Sequence, residues 1–108
     1  MSHVTAHVLD ASRGRPAAGV AVWLTDHTGR PVAEAVTDDD GRIASFGPDK
    51  LEEGTYTVRF DSGDYFAGQH VACFHPYVVV VFSVGPGGEH YHIPLLLSPY
   101  SYTTYRGS

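Results

Sequence analysis

The most strongly patterned strand of this 108-residue chain reads Glu89-His-Tyr-His-Ile-Pro-Leu-Leu-Leu97. Side chains alternate between the two faces of a strand, so its odd and even positions have different surroundings. The odd face is apolar and is expected to lie in the core; its residues are Tyr91, Ile93, Leu95 and Leu97. The even face carries His92, Pro94 and Leu96, an unusual set for a face in water, which indicates an interface or the wall of a cleft.

Short strand patterns continue on both sides of this segment, separated by turn residues. The predicted strands cover residues 5–10, 20–25, 31–37, 43–46, 54–60, 76–84, 90–97 and 100–105. The β-branched run at residues 78–81 predicts a strand buried on both faces. Residues 61–71 lack alternation and predict one short helix. Turns recur about every 8–12 residues, which is typical of an all-β sandwich or barrel.

The composition limits the classes of protein that fit. A chain of 108 residues has the size of a single domain, which we expect to span residues 1–108. The net charge is −5 without a basic cluster, which argues against nucleic acid and anionic membranes as partners. The lone Cys73 excludes an intrachain disulfide and a multi-cysteine zinc site. No apolar run is long enough to span a bilayer and no signal pattern is visible, so we expect a cytoplasmic protein.

Seven histidines make the chain suited to proton transfer near neutral pH. His92 has the better support for a functional role because of its unusual strand face. His7 is consistent with a surface histidine on an edge strand. His90 and His92 lie on one strand face and could bind a metal, but two ligands form only a weak motif because zinc takes three or four protein ligands. The remaining histidines are predicted to lie at the surface; they are His3, His27, His70 and His75.

Two further features have both a plain and a functional interpretation. Arg42 ends the turn Asp38-Asp-Asp-Gly-Arg42, where it is either an exposed charge or a stabiliser of developing negative charge. The terminal Tyr105-Arg-Gly-Ser108 either frays or takes part in a site. No nucleophile motif is present, so an enzyme of this sequence would use water activated by histidine.

Several motifs together resemble the 5-hydroxyisourate hydrolases, the transthyretin-like enzymes of purine breakdown. The resemblance covers nearly the whole chain. The two most specific motifs are Tyr91-His-Ile-Pro-Leu-Leu-Leu-Ser-Pro99 and Tyr105-Arg-Gly-Ser108. The supporting motifs are His7-Val-Leu-Asp10, Arg13-Gly-Arg-Pro-Ala17, Thr37-Asp-Asp-Asp-Gly-Arg42 and Gly63-Asp-Tyr-Phe66.

The resemblance implies a transthyretin-like sandwich of two four-stranded sheets with one short helix. It implies a homotetramer, a dimer of dimers, with sites in the channel between dimers. It also implies hydrolysis of 5-hydroxyisourate to 2-oxo-4-hydroxy-4-carboxy-5-ureidoimidazoline, without a cofactor or metal. Carried over by motif, the catalytic residues are His7, Arg42 and His92. The substrate-binding residues are Tyr105, Arg106, Gly107 and Ser108.

Some points stay open at the level of sequence. Either histidine could activate the water while the other protonates the leaving nitrogen. The Ser108 carboxylate could orient a histidine, or the terminal motif could only fit the channel wall. The segment Ser98-Pro-Tyr-Ser-Tyr102 resembles vertebrate transthyretin. The alternative function is a transthyretin-type carrier that binds a hydrophobic ligand in the same channel. A small structural β-sandwich without catalytic activity is a third possible function.

Overall fold

The computed structural model describes residues 2–108, which form two β-sheets and one short helix. The strands are β1 (Val4–Asp10), β2 (Arg15–Pro16), β3 (Ala21–Asp26), β4 (Pro31–Val36), β5 (Arg42–Ile43), β6 (Gly54–Phe60), β7 (Val78–Val84), β8 (Tyr91–Ser98) and β9 (Ser101–Thr104). The helix α1 (Ser62–Ala67) connects β6 to the loop before β7. Within residues 2–108, no helix has the length and apolar character that crossing a membrane requires.

The first sheet has the order β2-β1-β8-β9, and the second has the order β4-β3-β6-β7. Strands β1 and β8 are parallel and paired along their whole common length, from Val4 beside Tyr91 to Asp10 beside Leu97. The other edge of β1 is shared, because β5 pairs with residues 6 and 7 and β2 pairs with residues 9 and 10. The first sheet therefore contains five strands but is four strands wide. The two-sheet architecture with one short helix is confirmed.

The core lies between the sheets and follows the alternation in the sequence. In β1, Val4, Ala6 and Val8 are buried, whereas Thr5 and His7 are half-buried on the opposite face. In β8, the predicted apolar face is buried throughout. The largest fully buried side chains outside these strands include Phe46, Phe60 and Leu24. Since the first sheet turns its even β8 positions away from this core, His92 is available for another role.

Strand β7 does not have the double burial predicted from its β-branched run. Val78 and Val84 are buried, but Val81 is 63% exposed and Val79 is also exposed. The reason is that the second sheet packs on the core with one face only, so β7 turns alternate side chains away from the core, as the central strand β6 also does. A run of valines predicts a strand but does not show which of its faces will be covered.

Other predicted boundaries change modestly. The strand predicted at residues 43–46 is wrong except at Ile43, because β5 covers Arg42–Ile43 and Phe46 enters the core from irregular backbone. The helix predicted at residues 61–71 is limited to residues 62–67 and ends at Gly68, whose N–H donates to the Asp64 carbonyl. The strand predicted at residues 54–60 is confirmed without change.

The prediction that His3 lies at the surface is wrong. The His3 side chain is only 4% exposed. Its Nε2 donates to the Glu89 carbonyl at 2.7 Å, and its Nδ1 accepts from the Leu51 N–H at 2.8 Å. His3 therefore joins the start of β1 to two distant loops. His27, His70 and His90 are exposed, whereas His75 is half-buried between the rings of Phe74 and Tyr102.

The last residue of β1, Asp10, is fully buried and organises the following loop. Its carboxylate accepts from the Ser12 hydroxyl at 2.6 Å, the Tyr65 hydroxyl at 2.7 Å and two backbone N–H groups. Burial alone would raise the pKa of Asp10, but these hydrogen bonds outweigh it and hold the pKa below its ordinary value. Asp10 thereby ties α1 to the end of β1.

Candidate active site

Three strands and the C-terminal segment meet on the face of the first sheet that points away from the core. A cavity of about 250 Å³ lies there. Its lining residues are Thr5, Ala6, Arg42, Ile43, Ala44, His90, His92 and Ser108. His7 lies beside this cavity, with its ring centroid 6.5 Å from that of His92. The structure thus brings together all three residues predicted to be catalytic, from positions far apart in the sequence.

His92 stands on β8 directly beside Thr5 of β1. Its Nδ1 lies 2.8 Å from the Thr5 hydroxyl oxygen, which fixes the orientation of the ring. Within residues 2–108, the other ring nitrogen, Nε2, has no hydrogen-bond partner. That nitrogen is therefore free to exchange a proton with a bound molecule.

The surroundings of His92 favour its neutral form. Burial lowers the pKa of His92 below the ordinary value, because an imidazolium loses hydration there. The charges of His7, Arg42 and His90 lower it further by repulsion. A histidine with a lowered pKa stays neutral at neutral pH, which is the form that can accept a proton from water.

His7 has a defined tautomer. Its Nε2 lies 2.9 Å from the backbone carbonyl oxygen of Asp40. A carbonyl oxygen only accepts, so Nε2 must carry the proton and donate. In the neutral ring the lone pair is then on Nδ1, and protonation of Nδ1 leaves the bond to Asp40 intact. His7 can therefore hold a proton at Nδ1 and give it up again.

A tight turn sets Arg42 opposite His7 in the pairing of β5 with β1. The Asp38 carboxylate closes this turn by accepting from the N–H groups of Asp40 at 2.9 Å and Arg42 at 3.0 Å. Gly41 is required there, because its φ is 75° and a Cβ would collide with the carbonyl oxygen of Val8. Across residues 2–108, the Arg42 guanidinium has no carboxylate partner, so it is available to an anion.

The C-terminal segment lies along β8 over His92. The Gly107 N–H donates to the His92 carbonyl at 2.9 Å, and Ser108 lines the cavity beside Arg42. The neighbouring side chains point elsewhere. The Arg106 guanidinium stacks on the Tyr91 ring at 4.6 Å and pairs with Glu89 at 3.4 Å. Tyr105 and Arg106 line a second cavity of about 280 Å³ near β7, and His92 belongs to the lining of this cavity as well. Within one subunit, Ser108 therefore lies at the cavity shared by His92 and Arg42, whereas Tyr105 and Arg106 lie at the second cavity shared by His92 and β7.

Gly107 packs against the ring of His92 without room for a side chain. A Cβ at this position would lie 2.5 Å from Cδ2 of His92 and 3.1 Å from Cγ of Pro94. We therefore expect Gly107→Ala to displace the His92 ring and to lower the free energy of unfolding by about 1–3 kcal/mol, the usual cost of overpacking. The ring carbon NMR shifts of His92 and a urea titration measure the two effects.

Gly87→Ala is the matched control for this substitution, because a Cβ at Gly87 meets nothing within 4 Å. It should leave both the His92 shifts and the unfolding midpoint unchanged. Unaltered His92 shifts in Gly107→Ala would contradict the packing argument.

Sequence reasoning missed two groups that contact the site. Thr5 supports His92, and the Asp40 carbonyl sets the tautomer of His7. No local pattern marks either of them, since the first contact depends on the register of β1 with β8 and the second on a backbone atom. Among residues 2–108, no cluster of three or more His, Cys, Asp or Glu side chains could hold a metal ion. His90 and His92 instead share the Thr5 hydroxyl.

Two packed sheets, with histidines and an arginine on the outer face of one of them, define a transthyretin-like sandwich protein. The family model described as HIUase/Transthyretin matches residues 4–107. The chain belongs to this family, and the resemblance seen in its motifs is confirmed.

Relatives and solved structures agree with this membership. The 5-hydroxyisourate hydrolase of Deinococcus radiodurans is 48% identical over 113 aligned residues, covering 97% of this chain and 95% of that protein. The solved 5-hydroxyisourate hydrolase of Klebsiella pneumoniae is 36% identical with a TM-score of 0.90, covering 97% of this chain and 98% of the other. Sea bream transthyretin in complex with thyroxine is also 36% identical with a TM-score of 0.90. The alignment covers 96% of this chain and 93% of the transthyretin chain.

Proposed function

We propose that this chain hydrolyses 5-hydroxyisourate to 2-oxo-4-hydroxy-4-carboxy-5-ureidoimidazoline. Relatives that carry the name 5-hydroxyisourate hydrolase support the substrate, since they match this chain over nearly its whole length. One observation carries the chemistry: His92, held neutral with Nε2 free, lies on the same cavity as Arg42 and beside His7. Base, acid and cation are the three groups that hydrolysis of a cyclic amide needs.

The proposed steps use these groups in turn. The Nε2 of His92 takes a proton from water while the water oxygen bonds to the ring carbonyl carbon. The Arg42 guanidinium stabilises the negative charge that develops on the carbonyl oxygen. Protonated His7 then donates from Nδ1 to the leaving nitrogen as the carbon–nitrogen bond breaks. The product carboxylic acid ionises, and the proton on His92 is released or passed back to His7.

We also propose that residues 1–108 act as one domain within a homotetramer, a dimer of dimers. The argument is physical: the site lies on the surface of one sheet, where a single subunit covers the cavity on one side only. Half-buried Leu96 and Leu9 extend the same face with apolar surface that a second subunit would cover. In such an assembly, Tyr105 and Arg106 would contribute to substrate binding across the interface.

A carrier of a hydrophobic ligand is the second candidate, since sea bream transthyretin in complex with thyroxine has the same fold. Sites for apolar ligands are lined mostly by apolar and aromatic side chains. The cavity beside His92 has apolar walls as well, from Ala6, Ile43 and Ala44, but it also holds two imidazoles and a guanidinium, which a carrier of an apolar ligand does not need. That lining favours the hydrolase.

A direct assay separates the two candidates. Urate oxidase generates 5-hydroxyisourate from urate in the cuvette, and its ultraviolet absorbance is followed with and without the protein. We expect the absorbance to decay faster in proportion to protein concentration. A decay rate independent of the protein, together with saturable binding of thyroxine by fluorescence, would overturn the hydrolase in favour of the carrier.

The pKa of His92 sets the expected pH dependence of this activity. Only neutral His92 can accept the proton from water, and its pKa lies below the ordinary 6.5. The acid limb of kcat/KM, along which the rate falls with falling pH, should therefore have its midpoint below pH 6.5. A pH series of initial rates measures this. An acid limb with its midpoint above pH 6.5 would contradict the role of His92 as the base.

The carboxylate of Ser108 gives a further expectation. A single glycine added after Ser108 moves the terminal charge by about 3.5 Å, the length of one extended residue. If the carboxylate orients a histidine or the substrate, kcat/KM should fall by about tenfold or more. The same glycine added at the N-terminus is the control. Full activity of the C-terminally extended protein would limit the terminal motif to a packing role.

A further inference from the structure

A threonine hydroxyl joins two histidines at the edge of the candidate site. The hydroxyl oxygen of Thr5 lies 2.8 Å from Nδ1 of His92 and 2.9 Å from Nε2 of His90. Thr5 and His92 are direct neighbours in the pairing of β1 with β8, so the sheet itself sets the first distance. Thr5 is half-buried, whereas His90 is exposed to solvent.

The hydroxyl has one proton and two imidazole neighbours, which restricts the protons on the rings. It can donate to one ring only, so the other ring must donate to its oxygen. If His90 accepts from Thr5, then His92 donates from Nδ1 and keeps its lone pair on Nε2. If His92 accepts from Thr5, its proton moves to Nε2, and the ring can no longer take a proton there.

We propose that Thr5 and His90 are positioning residues that hold His92 in the tautomer with a free Nε2 lone pair. In this arrangement His90 accepts from the Thr5 hydroxyl, and the Thr5 oxygen accepts from Nδ1 of His92. The proposal rests on the proposed function, because it supplies the base of that reaction with its working tautomer. Neither Thr5 nor His90 needs to touch the reacting atoms for this role.

The same chain of hydrogen bonds supports His92 after it takes the proton. The imidazolium already donates from Nδ1 to Thr5, so no bond has to be exchanged as the charge forms. The titratable and charged groups that act on His92 are His7 on β1, Arg42 on β5 and His90 before β8, and Ser108 lines the same cavity. All three lower the pKa of His92 by repulsion, so an oriented oxygen on Nδ1 offsets part of this repulsion.

Nitrogen NMR on histidine-labelled protein tests the tautomer without reference to activity. In the unmodified protein at neutral pH, we expect His92 to show a protonated Nδ1 and an unprotonated Nε2. Thr5→Val removes the hydroxyl at similar shape, so the two tautomers should become mixed. Thr5→Ser restores the hydroxyl and should restore the single form. Thr55→Val is the matched control, because Thr55 is exposed on the other sheet.

Kinetics then test whether the tautomer matters for the reaction. Thr5→Val should lower kcat for 5-hydroxyisourate by about 10- to 100-fold, the usual effect of losing a group that orients a reactive side chain. KM should change by less than about threefold, and Thr5→Ser should recover most of kcat. His90→Phe removes the acceptor of the Thr5 proton and should lower kcat in the same direction. His27→Phe, at an exposed turn, is its control.

The outcomes distinguish the two proposals. An unchanged His92 tautomer in Thr5→Val, or a wild-type ring with its proton on Nε2, would overturn the positioning role while leaving the proposed hydrolysis intact. No turnover by the unmodified protein would overturn the proposed function itself. Equal loss of kcat in Thr5→Val and Thr5→Ser would also count against the hydroxyl, because both keep a side chain at that position but only serine keeps the oxygen.

Discussion

Replacing His92 with alanine should lower kcat for 5-hydroxyisourate by about 10²- to 10⁴-fold, the usual contribution of general acid–base catalysis. The reason is that His92 has the only combination of features suited to the base: a lowered pKa and an Nε2 without a partner among residues 2–108. Fold stability should change little by comparison, since the ring is half-buried on the outer face of the sheet.

His7→Ala should cause a loss in the same range, but with a different signature. This substitution removes the proposed acid and the bond to the Asp40 carbonyl, and it also removes a charge that lowers the pKa of His92. Without this repulsion the pKa of His92 rises, so the remaining activity should be lost at a higher pH than in the unmodified protein. The decay of 5-hydroxyisourate absorbance measures the turnover of both variants, and size-exclusion chromatography checks their oligomeric state. His27→Ala is the control, and near-normal turnover of His92→Ala with normal assembly would rule out its role.

Local pattern predicted most of the fold, because alternation reports directly on burial in a two-sheet protein. Strand β6 matches the prediction at both ends, and the apolar face of β8 is buried as expected. A β-branched run does not report what covers a strand, and this is why the double burial predicted for β7 is wrong. His3 shows the same limit, because its burial depends on Glu89 and Leu51, which are remote in sequence.

The candidate site was predictable only in part. The outward face of β8 pointed to His92, and motif resemblance pointed to His7 and Arg42. Thr5 was missed because its importance comes from the register of β1 with β8, which no single segment contains. The resemblance implies that all four residues of the terminal motif bind substrate, whereas within one subunit Arg106 stacks on Tyr91 and Ser108 lines the cavity. Side-chain direction in an irregular segment depends on such tertiary contacts.

Arg42→Ala is also expected to have a large effect, somewhat smaller than the loss of either histidine. Loss of one group that stabilises a developing oxyanion lowers kcat by about 10²- to 10³-fold. Arg42 is exposed and its guanidinium has no carboxylate partner within the described residues 2–108, so the substitution should leave stability nearly unchanged. Arg42→Lys should have an intermediate effect, because lysine keeps the charge but loses the planar pair of donors. Arg30→Ala, in an exposed turn, is the control.

The pH profile of Arg42→Ala carries the more specific information. Arg42 lowers the pKa of His92 by repulsion, so its removal should raise that pKa. The neutral base is then lost at a higher pH, and the acid limb of kcat/KM should move upward relative to the unmodified protein. Arg42→Lys keeps the charge and should keep the limb in place. A loss of rate without this movement would mean that Arg42 acts on the substrate alone, and a rate close to normal would remove it from the mechanism.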